Sequence, residues 1–132
     1  MFRRMYVLIA VLTVVLAACN ANEPSSIGFD AIPAEGDPAQ GAILYEQAIN
    51  GTPACTACHI EGASAAPYIT AGYADLAATR VEGESAREYS FWAIAEPGRH
   101  IVEGYGNAMY NQYDENLTPE QIADLIAYML SL

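Results

Sequence analysis

Two cysteines and a histidine near the middle of the chain have the clearest capacity for chemistry. Cys55, Cys58 and His59 have the spacing Cys-x-x-Cys-His, which is the attachment signature of a c-type haem. Positions i and i+3 lie on one face of a helical turn, so both thiols can add to the two vinyl groups of one haem. The motif therefore predicts one covalently bound haem c, held by Cys55 and Cys58, with His59 as an iron ligand.

Two other uses of the cysteine pair are less favoured. A redox-active disulfide of the thioredoxin type occurs in a βαβ context and does not require the following histidine. Zinc needs four ligands, usually from two such pairs, and His100 is the only other histidine of the chain. The third cysteine, Cys19, directly follows the apolar N-terminal leader and is expected to carry a lipid, so no thiol is left over for a structural disulfide.

A six-coordinate haem needs a second iron ligand besides the histidine. Methionine suits electron transfer, because its thioether raises the reduction potential of the haem relative to a second histidine. Met109 ends a Gly-rich stretch, residues 104–109, where a loop can bring its sulfur to the iron without helical constraint. We therefore predict His59 and Met109 as the two iron ligands. The alternative interpretation is that Met109 fills an apolar gap in the core.

The other candidates for this position are Met129 and His100. Met129 ends an apolar pattern of spacing i, i+3, i+4, i+7 that begins at Ile122, which predicts the buried face of an amphipathic helix. His100 follows a Pro-Gly-Arg sequence and is expected at the surface or behind a ligand. Neither is predicted to bind the iron.

The N-terminus carries the features of an export signal. Residues 6–18 contain no charge and follow two arginines. This run is shorter than the roughly 20 apolar residues of a membrane span and is typical of a signal-peptide core. Its end, Leu-Ala-Ala-Cys, resembles the bacterial lipobox, which implies cleavage after residues 1–18 and lipid attachment at Cys19. An ordinary signal peptide and a retained anchor are the alternatives.

This leader divides the chain into three parts. Residues 1–18 are predicted to be the lipoprotein signal peptide. Residues 19–36 contain prolines, glycines and serines without a helical period and are predicted to be the lipidated cysteine and a flexible tether. Residues 37–132 are predicted to be the folded domain. The expected location is the outer face of the cell membrane, with the domain held there by its lipid anchor.

The charge of the chain limits its partners. It has a net charge of −11, with five arginines and no lysine, and removal of the leader lowers the charge to −13 because two arginines leave with it. A protein with so few cations is not expected to bind nucleic acid, where each phosphate contact needs a basic side chain. Redox partners with basic docking patches are expected instead, and docking should weaken with salt.

Three helix starts can be located from capping residues. Asp37 followed by proline is a good N-cap. Ser85 and Glu88 have the spacing of a capping box for a helix over 85–96, on which Trp92 is expected as a core or haem-packing aromatic. Thr118 and Gln121 have the same spacing ahead of a helix that runs to residue 130.

From about residue 37 onward the chain resembles the small monohaem class I cytochromes c. The segment 37–45 is similar to the N-terminal helix of that family. The resemblance implies an all-α cytochrome c fold of three to five helices around one covalent haem, with little or no sheet. It also implies a close crossing of the terminal helices, for which the candidates are Gly41 and Tyr45 against Leu125 and Tyr128.

The resemblance also assigns roles around the iron. Pro67 is similar to the proline whose carbonyl accepts a hydrogen bond from the Nδ1–H of the proximal histidine, here His59. Residues 101–105 are similar to the segment before the axial methionine. The family usually has proline after that methionine, whereas Tyr110 follows Met109 here. A more mobile loop that admits exogenous ligands or lowers the potential is the expectation from this difference.

These features favour an electron-transfer protein and not an enzyme. The expected function is one-electron transport between respiratory or photosynthetic complexes. The alternative is a fixed monohaem subunit of a larger quinol-oxidising or oxidase complex, such as alternative complex III, to which residues 85–109 bear a loose likeness. Without Met109 as ligand, a five-coordinate gas binder or peroxidase-like enzyme would remain, with only Arg99 and His100 as distal acid–base candidates.

Overall fold

The described part of the chain, residues 27–132 of a computed structural model, is helical. Its five α-helices are α1 (Pro38–Tyr45), α2 (Tyr73–Ala77), α3 (Ala86–Ala95), α4 (Tyr113–Asn116) and α5 (Pro119–Leu130). Two short 3-10 helices cover Phe29–Ala31 and Cys55–Ala57, and no strand occurs between residues 27 and 132. The predicted all-α architecture with three to five helices is confirmed. The predicted signal peptide, 1–18, and Cys19 lie outside the described residues.

The helix starts follow the capping residues. The Asp37 side chain accepts hydrogen bonds from the backbone N–H groups of Ala39 (2.8 Å) and Gln40 (3.4 Å). At α5 the capping box is complete: Thr118 Oγ1 accepts from Gln121 N (3.2 Å), and the Gln121 side chain accepts from Thr118 N (2.9 Å). These bonds satisfy backbone donors that lack partners in the first turn of a helix.

Only one half of the predicted capping box forms at α3. Ser85 Oγ accepts from the backbone N–H of Glu88 (3.1 Å), and the structure gives no return bond from the Glu88 side chain. The helix nevertheless begins at Ala86, as the cap predicts, because the serine bond alone satisfies an N-terminal donor.

The terminal helices α1 and α5 pack directly on each other. Gly41 is buried on α1, and a Cβ at this position would overlap the backbone carbonyl of Asp124 and the Cβ of Tyr128. The rings of Tyr45 and Tyr128 lie 5.3 Å apart at 58°. The predicted crossing is therefore confirmed, and glycine is what allows the two backbones to approach.

The core is built mainly from the apolar face of α5. Ile122, Leu125, Ile126 and Met129 are all buried there, which confirms the helical pattern that placed Met129 in the core. Phe91 of α3 is fully buried in the same cluster. No helix within residues 27–132 has the length and apolar character needed to cross a membrane.

The predicted tether is wrong over residues 27–36, which pack on the helices. The Phe29 ring lies 5.6 Å from that of Phe91, and Ile32 is 6% exposed within the core cluster. Arg87 holds the segment from α3: its guanidinium lies 4.9 Å from the Phe29 ring centre and donates to the Pro33 carbonyl. Proline and glycine mark chain turns, and turns occur in packed segments as well as in linkers.

Candidate haem site

The two cysteines and the histidine lie on one tight turn. The 3-10 helix Cys55–Ala57 continues through two further bonds, because the backbone N–H groups of Cys58 (3.2 Å) and His59 (2.9 Å) both donate to the Cys55 carbonyl. Cys55 is half-buried and packs against the core, while Cys58 is exposed. The turn therefore places two thiols and one imidazole next to each other, as their spacing predicts.

The surroundings of Cys55 do not favour thiolate chemistry. Burial raises the pKa of the Cys55 thiol to about 11, which disfavours the thiolate that acts as the nucleophile in disulfide exchange. Within residues 27–132, no three His, Cys, Asp or Glu side chains come together in a way that could hold a metal ion. The alternatives of a zinc site and a thioredoxin-type pair gain no support.

His59 is fixed by the chain itself. Its Nδ1 lies 2.8 Å from the carbonyl oxygen of Pro67. A carbonyl can only accept a hydrogen bond, so Nδ1 must carry a proton; in the neutral imidazole, Nε2 is then the nitrogen with the free lone pair. This is the hydrogen bond that the cytochrome resemblance implied, and it prepares Nε2 to bind a metal with the ring held in one orientation.

A large cavity brings the predicted site residues together. It holds about 1310 Å³ of atom-free space, part of it open to solvent. Its wall includes all of the predicted haem-binding residues, namely Cys55, Cys58, His59, Pro67 and Met109. Cys55 and Met109, which are separated in sequence by about half the length of the domain, therefore line the same site.

Every α-helix contributes to the wall of this cavity. One lining residue from each, in chain order, is Tyr45, Tyr73, Ser90, Tyr113 and Met129. A group that fills the cavity would therefore contact all five α-helices, in addition to the side-chain core that the helices already share.

Met109 lies in the loop between α3 and α4. Its side chain is half-buried, packs against the core cluster and lines the cavity. Met129 also lines the cavity, but it belongs to the buried face of α5 and is only 5% exposed. Of the two sulfurs, that of Met109 is the one carried by a loop, and a loop can place it without distorting a helix.

His100 and Trp92 differ in their relation to the cavity. His100 is half-buried, lines the cavity and meets the Tyr89 ring edge-on at 5.7 Å, in keeping with a position behind the ligands. Trp92 is not among the lining residues: its ring packs against Phe91 (4.8 Å) and under the guanidinium of Arg99 (4.4 Å). Trp92 is partly buried against the core cluster, which agrees with the expected core aromatic.

The cavity wall also contains residues that the sequence did not reveal. Seven tyrosines line it, at positions 45, 68, 73, 89, 105, 110 and 113. The Tyr73 hydroxyl lies 3.0 Å from Ser90 Oγ, which donates to the Ala86 carbonyl (2.7 Å), and burial raises the pKa of Tyr73 to about 12. The Tyr73 phenol therefore remains neutral. No sequence motif marks the seven tyrosines, because they come from separate elements.

The lining suits a large, mostly apolar group with acidic substituents. Arg80 is the one arginine on the wall, and a haem has two carboxylates that such a cation can hold. The Tyr45 hydroxyl is buried without a hydrogen-bond partner among the described residues. The two thiols, the oriented imidazole, the thioether and the arginine together fit a covalently bound haem.

The fold and the cavity thus define a small helical protein whose core is completed by a covalent haem. The family model of cytochrome c matches residues 38–132, so the chain belongs to the cytochrome c family. Members of this family are electron-transfer proteins, not enzymes, and bind haem c covalently, usually one in a domain of this size. No curated protein and no solved structure shows a significant match to this chain.

Proposed function

We propose that this cytochrome c carries single electrons at the outer face of a bacterial membrane, with His59 and Met109 as the axial ligands of its haem. The observation that carries the ligand assignment is the cavity in which both side chains lie with Cys55 and Cys58. When bound, the haem supplies an iron that alternates between Fe(II) and Fe(III). Its two protein ligands would leave no coordination position for a substrate.

Each of the predicted site residues has a separate role in this proposal. Cys55 and Cys58 hold the haem by thioether bonds, and the Pro67 carbonyl keeps the proton on Nδ1 of His59 so that Nε2 can bind iron. Met109 supplies a soft sulfur ligand, which favours the reduced state relative to a second histidine. The apolar part of the wall, including Ile94, excludes water from the site.

The ligand assignment is tested by replacing the sulfur. In Met109→Leu we expect the ferric holoprotein to lose the sulfur-to-iron charge-transfer band, because leucine offers no donor atom. Met129→Leu is the matched control: it removes the other methionine thioether on the cavity wall and should keep the band. An unchanged spectrum in Met109→Leu would contradict the assignment.

Charge supports the proposal that redox partners have basic surfaces. Only three arginines occur in residues 27–132. Arg99 forms an ion pair with Glu84 (2.7 Å), Arg87 lies over Phe29, and Arg80 lines the cavity. The domain therefore presents many carboxylates with few cations between them, and a partner with a basic patch would be attracted to it.

This attraction predicts a salt dependence of opposite sign for cationic and anionic reagents. Reduction of the ferric holoprotein by a hexaammineruthenium cation should slow as the salt concentration rises, whereas reduction by an anionic iron–EDTA complex should become faster. The reason is that the Debye length falls to about 10 Å at 0.1 M salt, which weakens both the attraction and the repulsion. Stopped-flow measurement of both rates checks this. Glu61→Gln, next to the haem-attachment turn, should lower the cationic rate more than Glu120→Gln on α5, and equal effects would argue against local steering.

The proposed lipid anchor would keep the domain close to the membrane. The folded segment begins by residue 27, eight residue steps after Cys19, and a backbone of that length can reach at most about 28 Å. Partners of an anchored protein must then lie near the bilayer surface. This short reach is compatible with a carrier and equally with the alternative, a fixed haem subunit of a larger membrane complex.

Mild detergent extraction separates these two arrangements. A lipid-anchored carrier should stay with membranes during a salt wash and, after solubilisation, migrate as a free haem-staining band of the mature size. Cys19→Ala should be found in the membrane fraction to a much smaller extent, because it has no lipid attachment site. Migration of the wild-type haem with large subunits would instead support the fixed subunit.

A further inference from the structure

Tyr110, which follows Met109, is held by contacts to α4 that extend to the haem-attachment segment. The geometry points to a brace made of Tyr110 and Tyr113, which fixes the Met109 loop relative to Cys55. This inference rests on the proposed Met109 ligand and assigns positioning roles to the two tyrosines.

The first contact is between the two rings. Tyr110 and Tyr113 meet edge-to-face, with ring centres 5.1 Å apart at 78°. This is the arrangement in which the positive edge of one ring faces the negative face of the other. Tyr113 is 6% exposed and belongs to the core cluster, so the Tyr110 ring rests on a side chain that has little freedom to move.

The second contact joins this pair to the other side of the site. The Tyr113 hydroxyl donates to the Pro53 carbonyl (2.9 Å), and Pro53 lies two residues before Cys55. Burial raises the pKa of Tyr113, so its hydroxyl keeps its proton and remains a donor at ordinary pH. A continuous path of contacts therefore runs from the residue after Met109 to the residues before Cys55.

The hydroxyl of Tyr110 is held as well. It donates to Gln112 Oε1 (3.3 Å) and accepts from Asn116 Nδ2 (3.4 Å). The same Asn116 amide donates to the Gln112 carbonyl (2.7 Å), which secures the turn into α4. These longer bonds contribute less than the ring contact, and they keep the Tyr110 ring in the orientation that the contact requires.

The brace replaces one kind of restraint with another. A proline after the methionine fixes its own φ angle and restricts the preceding residue. Tyr110 leaves the backbone free to rotate but anchors its side chain to a buried neighbour. The Met109 loop is thus restrained by tertiary contacts, and the expectation of a more mobile loop, drawn from the missing proline, does not follow.

The test measures how readily the loop releases the iron. Potassium cyanide is added to the ferric holoprotein, and its binding rate is followed together with the sulfur-to-iron charge-transfer band. Cyanide can bind only after Met109 leaves, so the rate reports opening of the loop. We expect Tyr110→Leu to raise the rate about 2- to 10-fold, the range given by the strength of one aromatic pair.

Conservative variants separate the two contacts. Tyr110→Phe keeps the ring contact and should change the rate about 2-fold at most, since it removes only the two long hydrogen bonds. Tyr113→Phe keeps its ring but loses the bond to Pro53, and should raise the rate about 5-fold. The matched control is Tyr128→Leu, which breaks a similar aromatic pair between α1 and α5. Tyr128 itself does not line the cavity and has no contact with the Met109 loop among those that form the brace.

The outcomes distinguish the brace from the ligand proposal. Faster cyanide binding in Tyr110→Leu and Tyr113→Phe than in Tyr128→Leu, with the wild-type band present, would support the brace. A wild-type band with equal rates in Tyr110→Leu and Tyr128→Leu would overturn the brace and leave the Met109 ligand standing. A wild-type spectrum without the band would overturn both. Thermal unfolding of each variant, followed by circular dichroism, gives the global stability against which the rates are compared.

Discussion

Haem-free protein is expected to lose most of its helical circular dichroism signal. All five α-helices contribute side chains to the cavity wall, so removing the haem leaves every helix with an unpacked face. Empty cavity costs about 24 cal/mol per Å³. The cavity volume to which that relation applies is about 160 Å³, which corresponds to about 4 kcal/mol. This is a large share of the 5–15 kcal/mol stability of a typical domain.

The measurement compares the chain produced without haem attachment with the holoprotein. Cys55→Ala/Cys58→Ala, purified free of haem, should give the same weak helical signal as haem-free wild type, because both lack the group that fills the cavity. Well-dispersed amide resonances together with a helix-rich spectrum in either haem-free sample would show that the polypeptide folds without the cofactor and would contradict the expectation.

The second large effect is expected at Gly41. In Gly41→Ala the new Cβ would overlap the Asp124 carbonyl and the Cβ of Tyr128. The obstacles are a backbone group and the base of a side chain, neither of which can rotate away, so α1 and α5 must separate. Overpacking usually costs about 1–3 kcal/mol, and a clash with backbone should reach or exceed about 3 kcal/mol.

Urea unfolding of the holoprotein checks this value. Gly28→Ala is the matched control, because Gly28 has an ordinary φ of −73° and no atom within 4 Å of a built Cβ. Its unfolding free energy should change by less than about 0.5 kcal/mol. If the two alanine variants had equal midpoints, the close crossing of the terminal helices would not be the reason for glycine at position 41.

Local features of the fold were predictable because their causes are local. The cap at Asp37 and the capping box at Thr118 depend on residues two or three positions apart, and both form. The apolar spacing that ends at Met129 depends only on helical periodicity. The haem-attachment turn is equally local: Cys55, Cys58 and His59 follow one another within a single turn.

The errors arose where packing decides between two uses of the same residues. Residues 27–36 have the composition of a linker, yet Phe29 and Ile32 find apolar partners, and Arg87 holds the segment through Phe29 and Pro33. Those partners are more than 50 residues away in sequence. Amino-acid composition alone does not reveal such distant contacts.

The sequence by itself determined the chemistry of this protein: the thiols and imidazole for one haem, a methionine carried on a loop, an acidic surface and the order of the main helices. The tertiary structure alone decided that Arg80 and seven tyrosines line the same cavity and that Tyr110 rests on Tyr113. It also brought the Pro67 carbonyl to the position where it accepts the hydrogen bond from His59 that the family resemblance implied. The physical reason is distance along the chain. Spacing fixes what neighbouring residues can do together, whereas contacts between separate elements exist only after α1, α3 and α5 have closed around the cavity.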